Sequence, residues 1–292
     1  MMFIIRLWRE IYSYWFELIY IFKVISGCRM GITLVKREPP VIVSLATIPE
    51  RIKKVHLCVE TLLRQSVKPD KIILYIDESD REKITPSLKK QQERGLCIKF
   101  CKNIGPYGKF FYALKEFPKS IIVTADDDVF YPACWLKKLY YAYIKDPRYI
   151  YCWRAHLITR SNDGKLESYN NWIIGAPGVQ GPSFFLCATG VSGVLYPPQS
   201  LPQEVLNEEV FMNICSTNDD IWLKAMSILN GIQVKKVEMN SKHFPLIRKS
   251  QIKNLWYYNT QQGGNDRTIQ LVFSRYNLLN NLSTKKGKGN KY

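Results

Sequence analysis

Between residues 41 and 125 the chain alternates short apolar runs with polar stretches of helical spacing. Val41–Ala46, Lys71–Ile76, Leu96–Cys101 and Ser120–Ala125 have the length and apolar character of buried strands. Arg51–Arg64 carries Ile52, Val55, Val59, Leu62 and Leu63 at helical spacing, and Glu82–Arg94 and Lys109–Phe117 supply two further helices. Strands that alternate with helices imply βαβ units, because a parallel partner strand needs a long crossover. The expected fold is therefore α/β, a mostly parallel sheet flanked by helices.

Later elements are sparser. Pro132–Lys145, Glu204–Ile214 and Asp219–Leu229 have helical spacing, and Tyr149–Arg154 and Gln233–Val237 have strand character. From His156 to Phe185 no period is evident. The resulting division has residues 1–38 as an N-terminal segment, 39–283 as one catalytic-type domain and 284–292 as a basic flexible tail. Within the domain, 39–154 forms one half and 155–283 the other.

The fourth strand runs straight into Asp126-Asp127-Asp128. Three adjacent carboxylates at the end of a buried strand repel one another and lose hydration, and a divalent cation offsets both costs. Open α/β sheets also bind ligands at the carboxyl ends of their strands. Strand alternation would aim Asp126 and Asp128 one way and Asp127 the other. The competing interpretation is a solvated acidic turn ahead of the helix at Pro132.

Val43-Ser44-Leu45-Ala46-Thr47-Ile48-Pro49-Glu50-Arg51, followed by Val123-Thr124-Ala125-Asp126-Asp127-Asp128, resembles the nucleotide-sugar half of GT-A glycosyltransferases. The likeness is greatest to family 2-like bacterial enzymes that build surface polysaccharides, and it spans about residues 41–245. It implies a Rossmann-like GT-A fold and an Asp-x-Asp motif in which Asp126 and Asp128 hold Mn2+ or Mg2+ on the donor diphosphate. Thr47, Arg51, Asp77, Lys109, Asp126 and Asp127 would then contact the donor. Thr47 and Arg51 also suit a helix start, and Asp77 suits a turn with Glu78, Ser79 and Asp80. Lys109 follows a Gly-bounded segment, a place where a cation can meet a diphosphate.

Gly190, Ser192 and Gly193 resemble the small-residue loop that approaches the donor sugar and the acceptor; the alternative is an ordinary turn. Asn218-Asp219-Asp220 opens a helix. By the family pattern Asp220 is the general base, with Asp219 as second choice, while one residue of the group caps the helix. His243 would be a third metal ligand, or a structural histidine. Gly263-Gly264-Asn265-Asp266 resembles a mobile loop closing over the donor.

These features describe a metal-dependent glycosyltransferase, inverting by resemblance, that moves a sugar from a nucleotide diphosphate to a glycan or lipid-linked acceptor in cell-surface polysaccharide synthesis. A sugar nucleotidyltransferase also sets metal beside a parallel sheet, but the loop after the first strand lacks the Gly-rich, cation-tipped character needed to grip a triphosphate.

Charge adds location. The chain has 42 Lys+Arg against 25 Asp+Glu, a net +17. A nucleic-acid binder fits that excess, but no helix-turn-helix, zinc-finger or RNP-like signature accompanies it, so no nucleic-acid partner is expected. The cations instead gather in the tail and near an aromatic N-terminal helix (Arg29, Lys36, Arg37), which suits an anionic membrane surface. In that helix Arg6, Arg9, Glu10, Ser13 and Glu17 fall on one arc, and Trp8, Ile11, Tyr12, Trp15, Leu18, Ile19 and Phe22 on the rest. Two placements remain open: in the plane of a membrane interface, or packed on the protein's own body. Charges interrupt the apolar residues too often for a spanning helix. Eight cysteines without a CxxC pair fit reduced thiols in a cytoplasmic protein, peripheral at the inner membrane face.

Overall fold

The computed structural model describes residues 2–27, 29–248, 250 and 257–279, with side chains from Tyr12 onward except at 257 and 258. The first half runs α1 (Met2–Ile25), β1 (Val41–Ala46), α2 (Ile52–Leu63), β2 (Lys71–Asp77), α3 (Pro86–Gln92), β3 (Leu96–Cys101), α4 (Gly108–Glu116) and β4 (Ile121–Thr124). Next come α5 (Trp135–Lys145), β5 (Ile150–Cys152), β6 (Ala155–Leu157), β7 (Leu186–Ala188) and β8 (Val194–Tyr196). The chain continues through α6 (Glu208–Ile214), α7 (Asp219–Leu229), β9 (Val234–Lys236) and α8 (Gly264–Arg275).

Seven strands form one sheet in the order β3-β2-β1-β4-β8-β5-β9, and β6 and β7 pair separately. Strands β1 to β4 are parallel, β8 is antiparallel to both β4 and β5, and β9 is parallel to β5. The early strands are continuous apolar runs because both sheet faces are covered. Val41, Val43 and Leu45 of β1 pack on one side with α2 and α5, while Ile42 points to the other side with α4 and α7.

Helix starts follow local chemistry. Expected from Glu82, α3 begins only at Pro86, where the Thr85 side chain accepts from Leu88 N and Pro86 occupies the first turn. The helix expected over Glu204–Ile214 is split at Asn207, whose side chain caps α6. The segment expected as a mobile loop at Gly263–Asp266 is instead the start of α8. Gly263 takes the left-handed conformation before it (φ 70°), and the Asp266 carboxylate accepts from Tyr169 N at 2.6 Å.

Helix α1 packs against the domain through its second half. Tyr20 and Val24 are buried, and the Phe16 and Tyr20 rings lie 5.7 and 5.2 Å from Phe130. Burying a side chain such as Val24 stabilises by about 1.5–3 kcal/mol. Glu17, expected on the water-facing arc, pairs with Lys54 of α2 at 2.5 Å. The same helix leaves Trp15, Ile19, Phe22 and Ile25 exposed, Phe22 at 71%. The side chains of Arg6, Trp8, Arg9, Glu10 and Ile11 lie outside the described residues, as does the tail 284–292. Among the described residues no helix is long and apolar enough to cross a membrane.

Candidate active site

The strands end at a cleft of about 1640 Å³, and nearly every residue singled out from the sequence lines it. Thr47 follows β1, Arg51 directly precedes α2, Asp77 ends β2, and the three aspartates follow β4. The start of α4 supplies Lys109, the start of α7 supplies Asp219 and Asp220, and the crossing segment supplies His243.

Strand pairing of β4 stops at Thr124 and residues 127–128 form a turn, so simple alternation fails here. Asp126 and Asp128 therefore do not share an environment. Lys109 Nζ lies 2.8 Å from Asp126 Oδ1. Asp127 and Asp128 instead share Arg51, at 2.6 and 3.3 Å. Asp127 also accepts from Thr47 Oγ1 at 2.5 Å, so both of its oxygens are occupied. Thr47 and Arg51 are thus bound to the acidic turn, and Arg51 Nε additionally donates to Ser250 O at 2.7 Å.

Lys109 bridges two elements, since its Nζ also lies 2.9 Å from Asp219 Oδ2. It is a buried hub between carboxylates, unlike the solvated lysine that a lone cation usually is. Burial alone would lower its pKa, yet Asp126, Asp219 and Asp220 more than reverse that and hold it well above the ordinary value. Asn218 caps α7, accepting from Ile221 N at 3.2 Å, which leaves both aspartates available to the cleft. Asp220 Oδ1 accepts from Gly190 N at 2.8 Å. Burial first, and then the charge of Asp219, push Asp220 up to about 7. Asp128 also rises to about 7, through burial and then the charge of Asp127. A carboxylate titrating near neutral pH can take a proton and release it again.

Other expected residues fall in different places. Gly190 belongs to the cleft wall, where an added Cβ would sit 2.7 Å from Lys109 Nζ and 3.2 Å from Asp220. Ser192 and Gly193 face away from it. Ser192 is buried and donates to Lys242 O at 2.8 Å, and Gly193 (φ 90°) packs under the Trp135 indole. Both interpretations of Asp77 hold at once: it lines the cleft, and its carboxylate accepts from Ser79 N and Asn103 N at 2.8 and 2.9 Å. His243 is at the rim, with Nε2 accepting from Arg154 Nε at 3.1 Å. Arg154 itself escaped notice in the sequence, although a charge closing a strand candidate is a signal of the same kind as Asp77.

The fit to a divalent cation rests on charge. Besides Asp77, five aspartates (Asp126, Asp127, Asp128, Asp219 and Asp220) line the cleft, and among the described residues their ion pairs come from Lys109 and Arg51. That acidic excess, together with the raised pKa of Asp127, Asp128, Asp219 and Asp220, is what a bound cation would relieve. No three His, Cys, Asp or Glu side chains are already gathered in a ligand set among the described residues.

The profile of the family described as Glycosyl transferase family 2 matches residues 47–193. That span runs from Thr47 to Gly193, so it includes the three aspartates and leaves out Asp219, Asp220 and His243. No curated protein matches the sequence significantly. Among solved structures, a similar one is the mannosyltransferase PcManGT from Pyrobaculum calidifontis, in complex with GDP-Man and Mn2+. The likeness covers 95% of this chain and 84% of that one, at 11% identity and a TM-score of 0.45.

Proposed function

The chain belongs to glycosyl transferase family 2, it is a glycosyltransferase of GT-A fold, and from that premise we propose how its residues perform the transfer. A sugar moves from a nucleotide-diphosphate donor to a hydroxyl of a glycan or lipid-linked acceptor, with inversion, in the synthesis of a cell-surface polysaccharide. Residues 39–154 chiefly hold the donor and 155–283 the acceptor, and Arg154 stands at the boundary between the two halves. The observation that carries this reading is Lys109, whose Nζ contacts Asp126 of the donor turn and Asp219 of α7 within 3 Å on each side. One buried cation thereby keeps the acidic turn and the base-bearing helix in register.

Asp220 is the general base. Its pKa of about 7 leaves it able to accept the acceptor hydroxyl proton as the anomeric carbon is attacked, and Gly190 N–H fixes the orientation of its other oxygen. Asp127, saturated by Thr47 and Arg51, organises the turn, and the donor would be met by Asp126 and Asp128, which pair with Lys109 and Arg51. A divalent cation, Mn2+ or Mg2+, would be held by Asp126 and Asp128, and when bound it neutralises charge on the leaving diphosphate. His243 joins them only by giving up its hydrogen bond from Arg154. The nucleoside end of the donor lies toward Asp77 and Asn103.

The exposed Trp15, Ile19, Phe22 and Ile25 on a helix anchored to the domain support work at an anionic membrane surface, on its cytoplasmic side.

Titrating a panel of nucleotide-sugars into the protein with Mn2+, and assaying release of nucleoside diphosphate, tests the proposal. Binding of at least one sugar nucleotide with transfer or slow hydrolysis is expected. Pyrophosphate release from a nucleoside triphosphate plus a sugar phosphate, or no binding at all, would overturn it.

A further inference from the structure

Arg154 differs from four other half-buried and buried arginines of the domain. Arg37, Arg51, Arg64 and Arg94 each contact a carboxylate within 4 Å: Asp70, Asp127, Glu60 and again Glu60. Arg154 contacts none among the described residues. Its Nη1 donates to Thr189 Oγ1 at 3.0 Å and its Nε to His243 Nε2 at 3.1 Å. Both partners are neutral acceptors, because an imidazole nitrogen that accepts a hydrogen bond carries no proton. A guanidinium has five N–H groups, these two bonds use two of them, and Arg154 lines the cleft. Burial accordingly draws its pKa below the ordinary arginine value, the opposite of what carboxylates do to Arg51.

Position along the sheet says which substrate would meet these groups. In the order β3-β2-β1-β4-β8-β5-β9, Asp77 and Asn103 end β2 and β3, and the acidic turn ends β4. Arg154 follows β5, two strands beyond β4 on the far side from Asp77. At about 4.8 Å per strand, that is on the order of 10 Å past the aspartates. A donor whose nucleoside points toward β2 and β3 leaves that end of the cleft to the acceptor. The link to the base is direct: Thr189 holds Arg154 and the next residue, Gly190, holds Asp220.

We propose, on the glycosyltransferase reading above, that Arg154 forms an oxyanion subsite for the acceptor, binding a phosphate or carboxylate group and so presenting the acceptor hydroxyl to Asp220. The planar fork of the guanidinium suits either anion in bidentate geometry. The two sources differ in where the charge resides: on a phosphate joining the acceptor sugar to a lipid, or on a uronic-type carboxylate of the acceptor sugar itself.

The test uses the full-length protein with saturating nucleoside diphosphate and Mn2+, first shown to bind the wild type. Affinity is then measured calorimetrically for two probe pairs, an alkyl-diphosphate-linked monosaccharide against the neutral alkyl glycoside, and methyl glucuronide against methyl glucoside. The wild type should favour the anionic member of one pair by about tenfold or more, the size of one charge-assisted contact. The first pair would identify the phosphate source and the second the carboxylate. Arg154→Gln should reduce that preference to about twofold or less. Arg154→Lys, which keeps the charge without the fork, should recover part of it. Nucleoside diphosphate affinity should stay unchanged in both variants, which shows them folded. Equal affinity within both pairs for the wild type, or a preference that survives Arg154→Gln, overturns the proposal. Failure of the wild type to bind any nucleoside diphosphate would instead count against the glycosyltransferase assignment of the cleft.

Discussion

Asp220→Asn should make the protein more stable while it stops sugar transfer. The ordinary aspartate value is 3.8, and in the folded cleft Asp220 rises to about 7 through burial and its neighbour Asp219. Below pH 3.8 both folded and unfolded chains carry the proton, and the residue adds no pH dependence. Between 3.8 and 7 the unfolded chain has released its proton and the folded chain has not. Stability therefore falls as pH rises through this window, by about 1.4 kcal/mol per unit, and levels off above pH 7. The full window amounts to about 4 kcal/mol. Asp220 is only partly buried by its surface exposure, so screening by water reduces the usable figure to about 2 kcal/mol. Asparagine keeps the oxygen that accepts from Gly190 N and has no charge to desolvate. At roughly 2–4 °C per kcal/mol for a chain of this size, Asp220→Asn should raise the melting temperature by about 4 °C or more at pH 8 in metal-free buffer, and by almost nothing at pH 4. Thermal unfolding followed by circular dichroism across that range reads the difference. Nucleotide-sugar binding should persist, and transfer should fall by at least about a hundredfold. A variant no more stable than wild type at pH 8, or one equally shifted at pH 4 and 8, would refute the charge argument; near-normal transfer would remove Asp220 from the role of base.

Asp128→Ala should abolish the Mn2+ dependence of nucleotide-sugar affinity, and calorimetric affinity that still responds to Mn2+ would reassign the metal ligands. Gly193→Ala combines a positive φ with a Cβ 2.4 Å from Trp135 Nε1, so urea unfolding should show a loss of about 3 kcal/mol. Trp15→Ser with Phe22→Ser should cut cosedimentation with phosphatidylglycerol vesicles several-fold. Because both side chains are exposed, the melting temperature should hold within about 2 °C; undiminished vesicle binding would dissociate α1 from the membrane.

Strands β1 to β4 and helices α2, α4 and α7 were legible because each is a local pattern long enough to repeat. β6, β7 and β8 have three residues each and were not legible, whereas the equally short β5 and β9 fall inside longer runs of strand character at Tyr149–Arg154 and Gln233–Val237; α8 was obscured by the glycines at its start. Among the site residues, Asp126–Asp128 and Asp219–Asp220 stood out as charge in apolar surroundings. Lys109 was found for the right location and the wrong environment: its place at a helix start is local, whereas its two carboxylate partners come from residues 126 and 219. Ser192 and Gly193 looked like a substrate loop because small residues serve close approach of any kind, and here the approach is to Trp135 and Lys242.

By itself the sequence determined the alternating architecture and the acidic end of the fourth strand, since hydrophobic period and desolvation cost are set by neighbours along the chain. Only the tertiary structure decided which carboxylates are paired, that Asp128 and Asp220 titrate near neutrality, and that Arg154 has no carboxylate within 4 Å among the described residues. Those properties depend on charges brought together from distant segments, and electrostatic energy follows distance through space and burial, neither of which a linear order of residues contains.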